Sequence, residues 1–167
     1  MKGRPKPTPD PTGADLLAEA ATLIFPNFDE DQAWRLGNIL VAMSQRERLG
    51  VVINIRTANR TLFHAALPGS GPSNDNWARR KSNSCLMFQE ASLLVGTRNR
   101  ERHQTLADQG LDGADYADHG GAVPVVVRGV GMVAVVTVSG LPQRDDHALV
   151  VRAMREILSI PISVRPQ

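Results

Sequence analysis

The sequence predicts an α+β protein built on an antiparallel sheet, not a doubly wound parallel one. Two pairs of strand-like segments, at residues 51–66 and 123–139, are each joined by a short turn. Amphipathic helical stretches precede, separate and follow these pairs. Short turns join antiparallel neighbours, whereas parallel strands need a long crossover between them.

Residues 1–11 hold Pro5, Pro7, Pro9 and Pro11. Alternating prolines make neither helix nor ladder hydrogen bonds, so this stretch reads as a disordered or extended tail. A single domain follows over residues 12–167. Thr12, with Asp15 three residues on, reads as the capping box of a helix over residues 13–25 that Pro26 ends. Asp29 opens a second helix, with Glu30 and Asp31 favourable at its positive end. Leu36, Ile39, Leu40 and Met43 keep helical spacing there, and Gly50 closes the turn that follows.

Residues 51–57 alternate Val51, Ile53 and Ile55 on one face with Val52, Asn54 and Arg56 on the other. Residues 58–60 turn the chain, and Thr61–Ala66 returns as the second strand of a hairpin. After a Pro, Gly and Ser loop, Asn74 or Asp75 caps a third helix running to about residue 88. Trp77, Lys81, Ser84 and Phe88 share one stripe of it. The pattern allows this helix to continue to residue 95. Gly96 reads as a break and residues 98–108 as a charged helix. Gly120 and Gly121 lead into near-continuous apolar strands at residues 123–128 and 132–139, typical of strands covered on both faces. The last helix runs over residues 143–158 and Pro161 stops it.

Composition narrows the function. The chain has 167 residues and a net charge of +2. The whole excess lies in residues 1–11, and the remainder holds 16 basic and 16 acidic groups. A neutral globular part with 4% aromatics offers neither phosphate neutralisation nor a base-stacking platform, so no nucleic-acid partner is expected. No apolar run reaches the ~18 residues of a membrane span. A lone Cys85 excludes an intramolecular disulfide and fits a reducing, cytoplasmic interior.

Of three lysines, only Lys81 lies outside the tail. A lysine on a Trp-bearing, core-facing stripe calls for a ligand or a buried acid, or else it snorkels along Trp77. Gly120 and Gly121 permit close backbone approach by a ligand, or simply a tight turn into the strand. The four histidines, His64, His103, His119 and His147, form no zinc motif, so no metal site is expected. A single histidine still suffices as an axial haem ligand. Asp145 and Asp146 suit a helix N-terminus, and they stand ready to orient His147. Cys85 reads as a small buried residue, and no serine lies in a hydrolase elbow.

Four segments carry a family resemblance. They are Leu36-Gly37, residues 76–81 (NWARRK), residues 116–124 (YADHGGAVP) and residues 138–147 (VSGLPQRDDH). In this order and spacing the chain resembles the haem-degrading-domain superfamily. That superfamily includes the GlcG-like proteins, secreted haem-binding sensors and the C-terminal domain of PduO-type proteins. Its cytosolic branch in bacteria and yeast looks most similar. The resemblance implies a profilin-like layered fold, an antiparallel sheet of about five strands flanked by helices. It also implies dimers that assemble into larger ring-like homo-oligomers. Trp77, Arg80, Lys81, Gly120, Gly121, Ser139, Gly140, Asp146 and His147 match the recurrent motifs. Ala122 departs from them, as does the absence of a glycine inside residues 132–138.

Three readings stand. In the first, the protein is an oligomeric small-ligand binder whose ligand is haem or another anionic, planar cofactor. Lys81 and Arg80 pair with its carboxylates, Trp77 packs on its face, and His119, Gly120 and Gly121 line the pocket. In the second, it is an enzyme acting on a small acidic metabolite, with Lys81 as electrophile or base and His147 or His119 as proton carrier. In the third, the motifs specify an assembly module with no small ligand. An open cavity beside Lys81 favours the first two over the third.

Overall fold

The computed structural model describes residues 10–159. The elements run α1 (Gly13–Ala21), β1 (Ile24–Phe25), α2 (Glu30–Arg46), β2 (Val52–Arg56), β3 (Thr61–Ala66), α3 (Pro72–Phe88) and α4 (Ser92–Glu101). After a 3-10 turn at Ala107–Gln109 come β4 (Ala122–Val127), β5 (Gly131–Ser139) and α5 (Gln143–Ser159). The fold is α+β, with five strands in the order β1-β4-β5-β2-β3. Most of the Pro-rich tail, and Pro161, lie outside the described residues.

The two hairpins form as their alternation predicts. β2 pairs antiparallel with β3, β4 with β5, and β2 with β5, so both hairpins share one sheet. The sheet is nevertheless mixed. Ile24 and Phe25 pair in parallel with Val126 and Val127 at its edge. These residues were expected to end the first helix. Two residues carry no detectable period, and their partners lie about a hundred positions away, so local pattern could not show the pairing.

Period-2 alternation divides the core between the sheet's faces. Ile53, Ile55, Ala134, Val136, Val138, Val123 and Val125 pack with Leu36 and Leu40 of α2 and Val150 and Met154 of α5. Each large apolar side chain so buried contributes roughly 1.5–3 kcal/mol. On the opposite face Ala122 and Val135 meet Cys85 of α3. Burial holds the Cys85 thiol well above its ordinary value, which keeps it unreactive.

Local chemistry sets the helix ends. Thr12 and Asp15 close the expected capping box, with Thr12 N–H donating to Asp15 at 2.8 Å. Asp29 accepts from Gln32 N–H at 2.9 Å. The third helix begins earlier than expected, at Pro72, whose missing N–H costs nothing in a first turn. Asn74 instead accepts from Gly71 N–H at 2.9 Å. That helix stops at Gln89, which adopts a left-handed conformation. It therefore does not continue to residue 95.

Gly96 is no break either, since it lies inside α4. A Cβ there would stand 1.9 Å from the carbonyl oxygen of Asp118, so glycine lets the 118 loop rest on the helix. No helix among the described residues is long and apolar enough to cross a membrane.

Candidate functional site

The Trp77 stripe of α3 turns toward the sheet and buries Lys81. The lysine's partner is a buried acid. Lys81 Nζ lies 2.7 Å from Asp146 Oδ2, and their side chains are 4% and 1% exposed. The ammonium also approaches the Val138 carbonyl at 3.4 Å. Asp146 sits in the first turn of α5, where its Oδ1 accepts from Leu141 N–H at 2.9 Å. Gly140 N–H approaches Oδ2 at 3.4 Å. Burial pulls Lys81 below its ordinary value against the pull of Asp146. Burial likewise lifts Asp146 against Lys81. Both shifts have the sign expected when desolvation outweighs the pair's attraction.

This pair floors an open cavity of about 220 Å³. Trp77, His119, Ser139 and Gln143 supply much of its wall. The His119 ring meets Trp77 edge-on, with centroids 5.1 Å apart. Its Nδ1 lies 3.5 Å from Asp118 Oδ1, and Asn99 Nδ2 donates to the other Asp118 oxygen at 2.9 Å. Gln109 Nε2 in turn donates to Asn99 Oδ1 at 2.9 Å. The hydrogen bond from His119 holds Asp118 below the usual carboxylate range. The relay fixes the carboxylate beside the His119 ring, an arrangement that orients an imidazole.

The other predicted residues distribute unevenly. Arg80 does not line the cavity. Its guanidinium carbon stands 4.4 Å over the Trp77 ring, a cation–π contact that steadies the indole. Gly120 and Gly121 also stay out of the lining. Gly121 backs the ion pair instead, since a Cβ on it would come within 2.9 Å of Lys81 Nζ.

His147 lies in a different cavity from Lys81. Its Nε2 is 2.6 Å from Glu19 Oε1 of α1, and it borders a small space with Leu16, Leu23 and Val123. The hydrogen bond with His147 holds Glu19 below its ordinary value of 4.5. A depressed carboxylate adds stability above its unfolded pKa and loses it as pH falls through the folded one. The α1–α5 contact is therefore expected to weaken as pH drops below about 4.5. In urea melts from pH 6 to pH 3, Glu19→Gln should show a flatter acid limb than the wild type. Identical limbs would remove Glu19 from the account.

Asp146, Ser139 and Gln143 reach the cavity from β5 and α5, and position in sequence linked none of them to Lys81, whereas Asn74 stands two turns before Lys81 on α3. Asn99 lay hidden in a stretch that reads as a solvated arginine face, although it is 5% exposed.

Comparison with known proteins agrees with this fold. The family described as haem degrading protein HbpS-like matches residues 28–155. A UPF0303 protein of Streptomyces coelicolor is 46% identical over 149 residues, covering 89% of this chain and 94% of that protein. One of Rhizobium etli is 46% identical over 144 residues, covering 86% and 88%. The crystal structure of the Ybr137w protein superposes with a TM-score of 0.83 at 26% identity, over 90% of each chain. HbpS shares the fold at a TM-score of 0.64 and 19% identity, over 96% of this chain and all of that one. The match spans β2 to β5, α3 and the loop bearing His119, and on it the chain belongs to the HbpS-like haem-degrading protein family.

Proposed function

We propose that this protein binds a small molecule with a planar, partly apolar portion and one carbonyl or carboxylate oxygen. The observation that carries the reading is the open cavity floored by Lys81–Asp146 and walled by Trp77. An ammonium has three donors. Asp146 and Val138 account for two of them. The third is available to a ligand oxygen, while Trp77 offers a flat apolar surface. Asp146 compensates the lysine's charge, which favours a lightly charged ligand over a polyanion.

The family's name raises haem. His119, held by Asp118, has the donor chemistry of an axial ligand. The space does not fit. Sites that enclose drug-sized ligands measure roughly 300–1,000 Å³. A cavity of about 220 Å³ does not enclose a tetrapyrrole. The enzyme reading keeps only His119 as a proton carrier beside Lys81, because His147 faces Glu19.

A homo-oligomer in a reducing compartment completes the proposal. Trp34, 63% exposed on α2, and Val130, 72% exposed in the β4–β5 turn, suit contacts between copies. The test is native mass spectrometry of the protein from its own host, which reads assembly size and bound ligand together. A co-purified small molecule lost in Trp77→Ala, with binding weakened about tenfold or more, is expected. A haemin Soret shift abolished by His119→Ala would overturn the small-ligand reading.

A further inference from the structure

A second site lies away from the Trp77 cavity, where the β2–β3 hairpin meets α3. Arg56 ends β2, just after the register shift between Ile55 and Arg56. Its side chain turns to the sheet face that α3 covers, and it is half-buried. Its guanidinium meets only neutral oxygens. Nε donates to Thr57 O at 3.3 Å, and Nη2 donates to Ala58 O at 3.4 Å and Asn83 Oδ1 at 3.3 Å. Among the described residues it makes no ion pair with a carboxylate. Burial, and the like charge of Arg79, both pull Arg56 downward from its ordinary value. A guanidinium does not escape such a position by losing its proton. A partly buried, unpaired charge is costly until an anion meets it.

The surroundings form a recess of about 170 Å³. Arg56, Arg79, Thr61 and His64 line it. Asp75 is the carboxylate in the lining, and it faces His64 Nε2 at 3.1 Å. His64 Nδ1 lies 3.1 Å from Asn54 Nδ2. Asn54 Nδ2 is a donor, so Nδ1 accepts and the ring proton sits on Nε2, directed at Asp75. The histidine thereby occupies Asp75 and leaves Arg56 unanswered. Arg79 is paired with Asp115 at 2.9 Å, and its positive charge still borders the recess.

We infer that this recess binds a phosphate group, either inorganic phosphate or the terminal phosphate of a monoester. Arg56 supplies its charge and the Nη1 donors, which none of its bonds to Thr57, Ala58 and Asn83 uses, to a phosphate oxygen. Thr61 contributes a hydroxyl donor and Arg79 a second positive field. The site is independent of the Trp77 cavity and of any ligand there.

The test uses the full chain. Thermal unfolding is followed with inorganic phosphate or methyl phosphate against chloride at constant ionic strength. A saturable rise in Tm specific to phosphate is expected, by preferential binding to the folded state. Arg56→Gln should weaken the apparent affinity about tenfold or more, since it removes the charge and the charge-assisted donors that meet the phosphate. Trp77→Ala should leave it unchanged. A response to both probes assigns the site to phosphate monoesters as well, and a response to phosphate alone assigns it to the free ion. No phosphate-specific shift, or the same shift in Arg56→Gln, overturns the inference. Should Arg56→Gln not fold, the wild-type Arg56 Nε–Hε resonance decides. A saturable displacement with phosphate supports the site, and an unmoved resonance refutes it.

Discussion

Replacing Lys81 with methionine should cost about 3–5 kcal/mol of stability, the range for breaking a buried ion pair by removing one partner. Asp146 would keep its hydrogen bonds from Leu141 and Gly140 but would face a nearly dry site with no counter-charge. The loss should depend on pH. In Lys81→Met the Asp146 carboxyl should titrate higher still than in the wild type, where burial already lifts it against the pull of Lys81. An acid whose folded pKa is raised contributes stability at low pH and loses it as pH rises through that value. The penalty at pH 7 should therefore shrink as pH approaches 4.

The double variant Lys81→Met with Asp146→Asn keeps an acceptor for Leu141 N–H and removes both charges. It should be more stable than Lys81→Met alone, with a coupling of about 2 kcal/mol in a double-mutant cycle from urea melts. Additive losses would mean that the two groups do not act as a pair. A near-neutral double variant would show that the fold does not need the charges. Their place under an open cavity would then be best explained by what the cavity holds.

How far this arrangement was legible in the sequence depends on the distance between partners. The hairpin at β2 and β3 was readable because alternation is local, and Thr61–Ala66 stands as predicted. The stripe of Trp77 and Lys81 was readable because both lie on one helix. It correctly signalled that a lysine there needs an acid or a ligand. Asp146 lies 65 residues away, and its N-terminal place in α5 already had a sufficient local explanation. Pattern had no reason to send it to Lys81.

The same holds for Gly96. Glycine in a helical stretch reads as a stop, yet here the carbonyl of Asp118 occupies the space a side chain would take. The glycine inside α4 and the position of His119 are one fact seen from two parts of the chain. His147 shows the opposite error. Its neighbour in sequence is Asp146, but successive residues on a helix face different ways. One reaches Lys81 and the other reaches Glu19.

Gly121→Ala should be among the most damaging of the glycine substitutions around the cavity, at about 3 kcal/mol or more. Two costs combine. Gly121 has φ +134°, a backbone state that side chains rarely adopt and that carries roughly 1–3 kcal/mol of strain. An added Cβ would also stand 2.4 Å from the Val138 carbonyl oxygen. That oxygen is fixed backbone, and Val138 N–H is bound to Gly121 O at 2.9 Å, so neither side yields easily. Overpacking of this kind adds about 1–3 kcal/mol.

Gly110→Ala separates the two costs. Gly110 has φ +75° but open space around it, so only strain of about 1–2 kcal/mol is expected. Thermal melts of the two variants, each beside the wild type, measure the difference. They also decide why position 121 is glycine. If it exists for close approach by a ligand, Gly121→Ala will melt like Gly110→Ala and lose only binding. If it exists to seat the strand end against Lys81 and Val138, the protein will lose its stability first. The glycine's absence from the cavity lining and its contact with both atoms favour the second outcome.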